Sequence, residues 1–246
     1  MAHKSGFVNI IGNPNVGKST IMNVLVGERL SIITSKMQTT RHRIKGIVNG
    51  DDFQIVYSDT PGILKPNYKL QETMMKFVNT ALIDADVILY VTDVIESPGK
   101  NDEYVERIRS SEAAVIVLIN KIDLSTQEKV LELYQYWSGK LPLASIYAIS
   151  ATNKFGVAQI FDRILELLPE GPAYFPKDEL TDRNERFFVT EIIREKILLN
   201  YDKEVPYSVE VEVEQFKEEE QLLNLMCVIH VNRDSQKGII IGHQGK

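Results

Sequence analysis

Gly12-Asn13-Pro14-Asn15-Val16-Gly17-Lys18-Ser19 decides how this chain is read. A glycine, four residues and then Gly-Lys-Ser make the phosphate-loop pattern. Its surroundings agree, because the apolar run Phe7 to Ile11 precedes it and Thr20 to Val26 follows with helical spacing. A phosphate needs close backbone approach. Glycines at 12 and 17 let successive amides turn inward, and the following helix N-terminus adds partial positive charge. Lys18 is placed to reach the β and γ phosphates, and Ser19 to offer its hydroxyl to magnesium. The predicted nucleotide-facing set here is Asn13, Asn15, Val16, Gly17, Lys18, Ser19 and Thr20. The competing reading is a surface loop with a solvated lysine, and it does not explain why strand, loop and helix all fit.

Outward from the loop, Val87 to Val91 and Val115 to Ile119 are apolar nearly throughout, as are strands buried on both faces. Leu70 to Leu82, Tyr104 to Arg109, Glu128 to Trp137 and Val157 to Leu168 have helical spacing between and after them. Alternating strand and helix patterns predict an α/β, doubly wound domain with a mostly parallel sheet. Leu131, Leu133, Tyr134 and Trp137 read as one buried helix face.

Three further segments complete a nucleotide constellation. Asp59-Thr60-Pro61-Gly62 follows the strand-like Phe53 to Tyr57, which puts Asp59 at magnesium and the Gly62 amide near the γ phosphate. Asn120-Lys121-Ile122-Asp123 follows a buried strand at the edge where open parallel sheets bind ligands. An ionised Asp123 accepts from guanine N1 and N2, which adenine does not offer in that arrangement. Asn120 contacts guanine N7 or braces the loop, and the Lys121 stem lies over the ring. Ser150-Ala151 after Ile146 to Ile149 offers the Ala151 amide to guanine O6.

Composition narrows the rest. The 246 residues carry a net charge of -6, which disfavours non-specific nucleic-acid binding, so any RNA contact must be local. One cysteine, Cys227, has no disulfide partner, and four scattered histidines suggest neither a metal cluster nor a nucleophilic triad. No apolar run approaches the roughly 20 residues of a membrane span, so a cytoplasmic protein is expected.

Pro169, Gly171, Pro172 and Pro176 interrupt the α/β pattern. The predicted organisation is a nucleotide domain over 1–170, a linker over 171–183 and a second domain over 184–246. In the latter, Glu185 to Leu199 has helical spacing and Val205 to Phe216 alternates with period two. Leu222 to Val231 reads as a second strand, with Glu218 to Glu220 as the connection.

The four nucleotide segments in this order look like the translation-factor class of GTPases. Lys36-Met37-Gln38-Thr39-Thr40-Arg41-His42-Arg43, after Ser31-Ile32-Ile33, resembles the switch I segment of the bacterial Era family, and Lys237 to Lys246 is similar to that family's GxxG signature. The resemblance covers essentially the whole chain. It implies a Ras-like P-loop GTPase domain followed by a partial α+β type II KH domain, whose pattern would continue for roughly fifty residues. It further implies GTP and GDP as ligands with Mg2+, and a partner in the 3′ end of 16S rRNA on the 30S subunit. It gives a role in assembly and maturation of that subunit, for a monomer whose association with the inner membrane would be peripheral. Carried over by position, Thr40 closes on magnesium and the γ phosphate, with Thr39 as the competitor. Asn15 helps hold K+, and Gly242, His243, Gln244, Gly245 and Lys246 clamp RNA backbone.

Lys18, Thr40 and Gly62 are then the residues that act on the reaction. Ras-like enzymes place a water-orienting glutamine just after the switch II glycine, and here that position is Ile63, so intrinsic turnover is expected to be slow. Gln38 to Arg43 and Gly62 to Lys69 are expected to order around GTP and relax after phosphate loss. Two other readings remain open at this point. One is an RNA-binding assembly factor that uses nucleotide as a structural ligand, and the other is a tRNA-modification GTPase relative.

Overall fold

The computed structural model describes residues 2–220 and 222–243. They divide into two compact units. One comprises the chain up to Ser31 and Thr40–Asp182, the other Ile32–Thr39 and the chain from Arg183 onward.

The first unit is built on a six-stranded sheet in the order β2-β3-β1-β4-β5-β6. Its strands are β1 (Lys4–Gly12), β2 (Ile44–Asn49), β3 (Phe53–Asp59), β4 (Val87–Asp93), β5 (Ala114–Asn120) and β6 (Ser145–Ala148). Every pairing is parallel except that of β2 with β3. Helices α1 (Lys18–Val26), α2 (Lys69–Ile83), α3 (Asp102–Arg109), α4 (Gln127–Lys140) and α5 (Val157–Leu167) complete the unit. The continuous apolar runs are explained by β4, in which every residue is buried. The chain order reverses at β1, which pairs with β3 on one side and β4 on the other. At such a switch point the strand ends leave a crevice, and the phosphate loop starts there. Among the described residues, no helix is long and apolar enough to cross a membrane.

Two details depart from the sequence reading. Leu133 and Trp137 are buried, one turn apart on α4, but Leu131 and Tyr134 are exposed. They line a surface groove with Ile122, Thr126 and Val130, since positions 130, 131 and 134 share a different side of the helix. The proline-rich stretch after residue 170 is laid on the sheet rather than hanging free. Gln54 Oε1 accepts from the amides of Tyr174 and Phe175 at 2.7 and 2.9 Å, the Ile47 amide donates to the Leu180 carbonyl at 2.8 Å, and Gly46 pairs with Thr181. Edge strand β2 thereby has its open hydrogen-bonding side covered.

Behind the sheet, Arg43 ties the start of β2 to the end of α2. Its guanidinium donates to both Asp84 carboxylate oxygens at 2.5 and 3.0 Å, to Asn9 Oδ1 at 3.0 Å and to Ser58 Oγ at 3.0 and 3.1 Å. Arg43 is buried while Asp84 is partly exposed, so losing the guanidinium strands the buried Asn9 and Ser58 acceptors more than the carboxylate. Arg43→Met, which keeps the stem's volume, is expected to destabilise the unit by about 2 to 4 kcal/mol. Urea unfolding with an unchanged midpoint would show that the network does not hold the fold.

The second unit packs α6 (Glu185–Asn200) on a two-stranded antiparallel sheet, β7 (Val209–Glu219) and β8 (Leu222–Val231), followed by α7 (Asp234–Ile241). Ile197, Val209 and Val211 form its core, with Ile193, Tyr201, Ile229, Val231 and Ile240 against them. The strand begins later than its period suggests because Pro206, lacking an amide proton, sits in a 3-10 turn over Val205–Tyr207. A bulge between Val213 and Gln215 then shifts the register, which is why alternation fades beyond Glu214. The segment Ile32–Thr39 folds with this unit. Lys36 Nζ donates to Asp202 at 2.9 Å and to the Tyr201 carbonyl. Arg194, buried and paired with Glu191 at 2.9 Å, donates to the Thr39 carbonyl.

Candidate nucleotide site

The residues singled out from the sequence in the first unit meet at the carboxyl ends of β1, β3, β4 and β5. The phosphate loop leaves β1 after Gly12 and enters α1 at Lys18, with Asn15 at φ 65° and Gly17 at φ 100°. These left-handed turns fold the loop back on itself, as an anion-cradling row of amides requires. Lys18 is buried and donates to the Asn13 carbonyl at 2.6 Å. Burial lowers its ammonium to about 8 from the usual 10.5, although Asp59 and Glu96 oppose the shift. A cation held in so dry a place gains most from a polyanion brought beside it.

Three oxygen-bearing side chains converge next to it. Ser19 Oγ donates to Asp59 Oδ2 at 2.6 Å and lies 3.0 Å from Thr40 Oγ1, which in turn stands 3.3 Å from Asp59 Oδ2. Burial raises the Asp59 carboxyl, against the hydroxyls of Ser19 and Thr40 and the charge of Lys18. Its other oxygen, Oδ1, is buried with no hydrogen-bond partner among the described residues. An orphaned carboxylate oxygen beside two hydroxyls suits a hard divalent cation. Thr39 contrasts with Thr40: its hydroxyl is spent on the Lys36 carbonyl at 2.6 Å and on Thr34 at 2.7 Å within its own segment.

Gly62 and Ile63 lie against this loop. A Cβ on Gly62 would fall 2.6 Å from the Pro14 nitrogen, so only glycine fits the approach. The next residue, Ile63, donates its amide to the Gly12 carbonyl at 3.1 Å and buries its side chain in the sheet-helix core. It presents no polar atom toward a reacting phosphate.

On the other flank, Asn120 braces the site. Its Nδ2 donates to the Val16 carbonyl at 2.8 Å and its Oδ1 accepts from the Ala151 amide at 3.0 Å. Of the two roles open to Asn120 from the sequence, bracing is the one these bonds perform, and a base oxygen would have to share the Ala151 amide with it. Lys121, at φ 61°, donates to the Asn15 carbonyl and to Asp93, both at 2.6 Å. Asp123 follows in the 3-10 turn Ile122–Leu124 and is exposed, while Ser150 is buried and caps the Asn153 amide. Nothing in the motif patterns singled out Glu96 or Asn101, whose side chains reach the phosphate loop at Asn13. Their one sequence signal is the position after the buried strand β4.

Of the RNA-directed residues, Gly242 ends α7 at φ 72°, with His243 after it. Gln244, Gly245 and Lys246 lie outside the described residues.

Comparison with known proteins supplies the context. Residues 7–121 match the family described as 50S ribosome-binding GTPase, and residues 204–246 match the KH domain. The chain is similar to a GTPase Era of Caldicellulosiruptor saccharolyticus, 46% identical over 250 residues, covering 100% of this chain and 83% of that protein. A GTPase Era of Ruminiclostridium cellulolyticum is 40% identical over 247 residues with the same coverage. A crystal structure of Era in complex with MgGDPNP and nucleotides 1506-1542 of 16S ribosomal RNA matches at TM-score 0.93 and 38% identity, over 99% of this chain and 84% of that one.

Proposed function

The chain belongs to the Era family of GTPases and hydrolyses GTP, and from that premise we propose that it is a switch whose nucleotide state governs binding to the 3′ end of 16S rRNA, assisting assembly and maturation of the 30S subunit in the cytoplasm. The observation that carries this reading is the cluster of Ser19, Thr40 and Asp59, in which a residue of the switch I stretch already touches the oxygen ligands supplied by the phosphate loop and the end of β3. Ser19, Asp59 and Thr40 would hold Mg2+, which when bound neutralises charge on the β and γ phosphates. Lys18 stabilises charge on the same oxygens, Gly62 brings its amide to the γ phosphate, and Asp123 selects guanine. With Ile63 turned into the core, the attacking water depends on backbone, a second cation or a partner, and slow intrinsic turnover follows.

Gly242, His243 and the three residues after them are the proposed RNA clamp, supported by the KH match over 204–246. The same match counts against a tRNA-modification relative. The test is binding of a labelled 16S rRNA 3′-end fragment, with GTP analogue and with GDP, to this chain and to one lengthened to the span of its relatives. Tighter binding with the GTP analogue supports the switch. RNA binding that ignores the nucleotide favours instead an assembly factor with nucleotide as structural ligand, because coupling between the two ligands must be reciprocal. Asn15 is proposed to help hold K+ beside the phosphates, so hydrolysis should be faster in potassium than in sodium buffer. Equal rates would remove that role.

A further inference from the structure

The loop between β4 and α3 carries no nucleotide motif, yet it grips the phosphate loop at one residue. Asn13 is buried, and both ends of its side-chain amide are held from this one loop. Its Nδ2 donates to Glu96 Oε2 at 2.5 Å, and its Oδ1 accepts from Asn101 Nδ2. Glu96 is fixed in turn. Its other oxygen accepts from Thr92 Oγ1 at 2.6 Å, and its amide donates to Asp93 Oδ1 at 2.8 Å. Asp93 is itself anchored by Lys121 at 2.6 Å. A carboxylate suits this place because it offers two acceptors to two donors, the Thr92 hydroxyl and the Asn13 amide.

We propose that Glu96 is a positioning residue for GTP hydrolysis: it clamps Asn13 so that the Asn13 carbonyl keeps Lys18 aimed at the place the β and γ phosphates occupy. The geometry bears this out at the next bond, since Lys18 Nζ sits 2.6 Å from that carbonyl. Burial raises the Glu96 carboxyl above its usual range, against the hydrogen bonds from Thr92 and Asn13. Without the Glu96 carboxylate Asn13 is held at one end only, its carbonyl can rotate away, and the lysine loses its aim. Misplacement on the scale of 1 Å in such a site is worth up to about a hundredfold in rate.

The test is GTP affinity and single-turnover hydrolysis in the full chain, with thermal unfolding recorded for each variant. Glu96→Ala is expected to lower kcat/KM by about 10- to 100-fold. Glu96→Gln keeps an acceptor for Asn13 and a partner for Thr92 while removing the charge, and it should restore kcat/KM to within about threefold of wild type. The double variant Asn13→Ala with Glu96→Ala should be no worse than Asn13→Ala alone, because the two residues act through one bond. A structural role alone would lower the melting temperature without this rescue and this non-additivity. Where Glu96→Ala does not fold, Asn101→Ala, which removes the other hydrogen bond to Asn13, must show the same direction of loss. Activity of Glu96→Ala within twofold of wild type, failure of Glu96→Gln to rescue, or additive losses in the double variant overturns the proposal.

Discussion

Asp123→Asn is expected to invert the base preference of the site, weakening GTP binding by about one to three orders of magnitude and making xanthosine triphosphate the tighter ligand. An ionised carboxylate accepts from guanine N1 and N2 together, and each such charge-assisted bond is worth about 1.5 to 3 kcal/mol. The asparagine keeps one acceptor but turns an N–H toward a guanine N–H, so one of the two bonds is lost and a repulsive contact takes its place. Xanthine carries a carbonyl at that second position, which the new donor satisfies. The turn that carries Asp123 is fixed by the residues before it. Lys121 is held in a left-handed conformation by the Asn15 carbonyl and Asp93, and the 3-10 turn Ile122–Leu124 follows directly. Because Asp123 is exposed, the substitution should leave the unfolding transition of the nucleotide-free chain where it is. Titration of both triphosphates against wild type and variant reads the result, and a variant that still prefers GTP would mean that another residue selects the base.

What the sequence made legible was whatever local chemistry demands of itself. Gly12 to Ser19 stands out because only small residues let amides crowd a phosphate, and Asp59 and Asp123 because each follows a buried strand at the edge where ligands bind. The parallel strands were visible as runs without alternation, since both faces of β4 are covered. Long-range matters were not legible. Arg43 reads as one more charge in a basic stretch until the fold brings Asn9, Ser58 and Asp84 around it. Glu96 sits in a polar loop and gains meaning only through Asn13, 83 residues away in sequence. The stretch after Pro169 has the composition of a free linker, and its docking rests on side chains far away in sequence, Ser5, Asn49 and Gln54 among them, and on an open strand edge. The two threonines of the switch I stretch could not be told apart by pattern, yet the Thr40 hydroxyl stands beside Ser19 and Asp59 while that of Thr39 is turned into its own segment.

Gly17→Ala is expected to cost about 3 to 5 kcal/mol of nucleotide affinity, although it adds a single methyl group. Two effects combine. At φ 100° an alanine is strained by about 1 to 3 kcal/mol whatever surrounds it. The added Cβ would also lie 2.2 Å from Asn120 Nδ2, so that side chain must leave. With it go the bonds to the Val16 carbonyl and the Ala151 amide, through which one residue ties together the phosphate loop, the Asn120-Asp123 segment and the Ser150-Ala151 turn. Each buried group so stranded costs about 1 to 3 kcal/mol. The steric part can be separated by a double-mutant cycle. Asn120→Ala alone removes both bonds and weakens binding, but it also opens the space the new methyl needs. In that background Gly17→Ala should pay only its backbone strain, so the two losses should fall short of additivity by about 1.5 to 3 kcal/mol. Guanine-nucleotide dissociation constants for the four chains give that coupling directly. If Gly17→Ala costs as much without the Asn120 side chain as with it, the brace does not connect the loops, and the affinity of the site rests on the phosphate loop's own conformation.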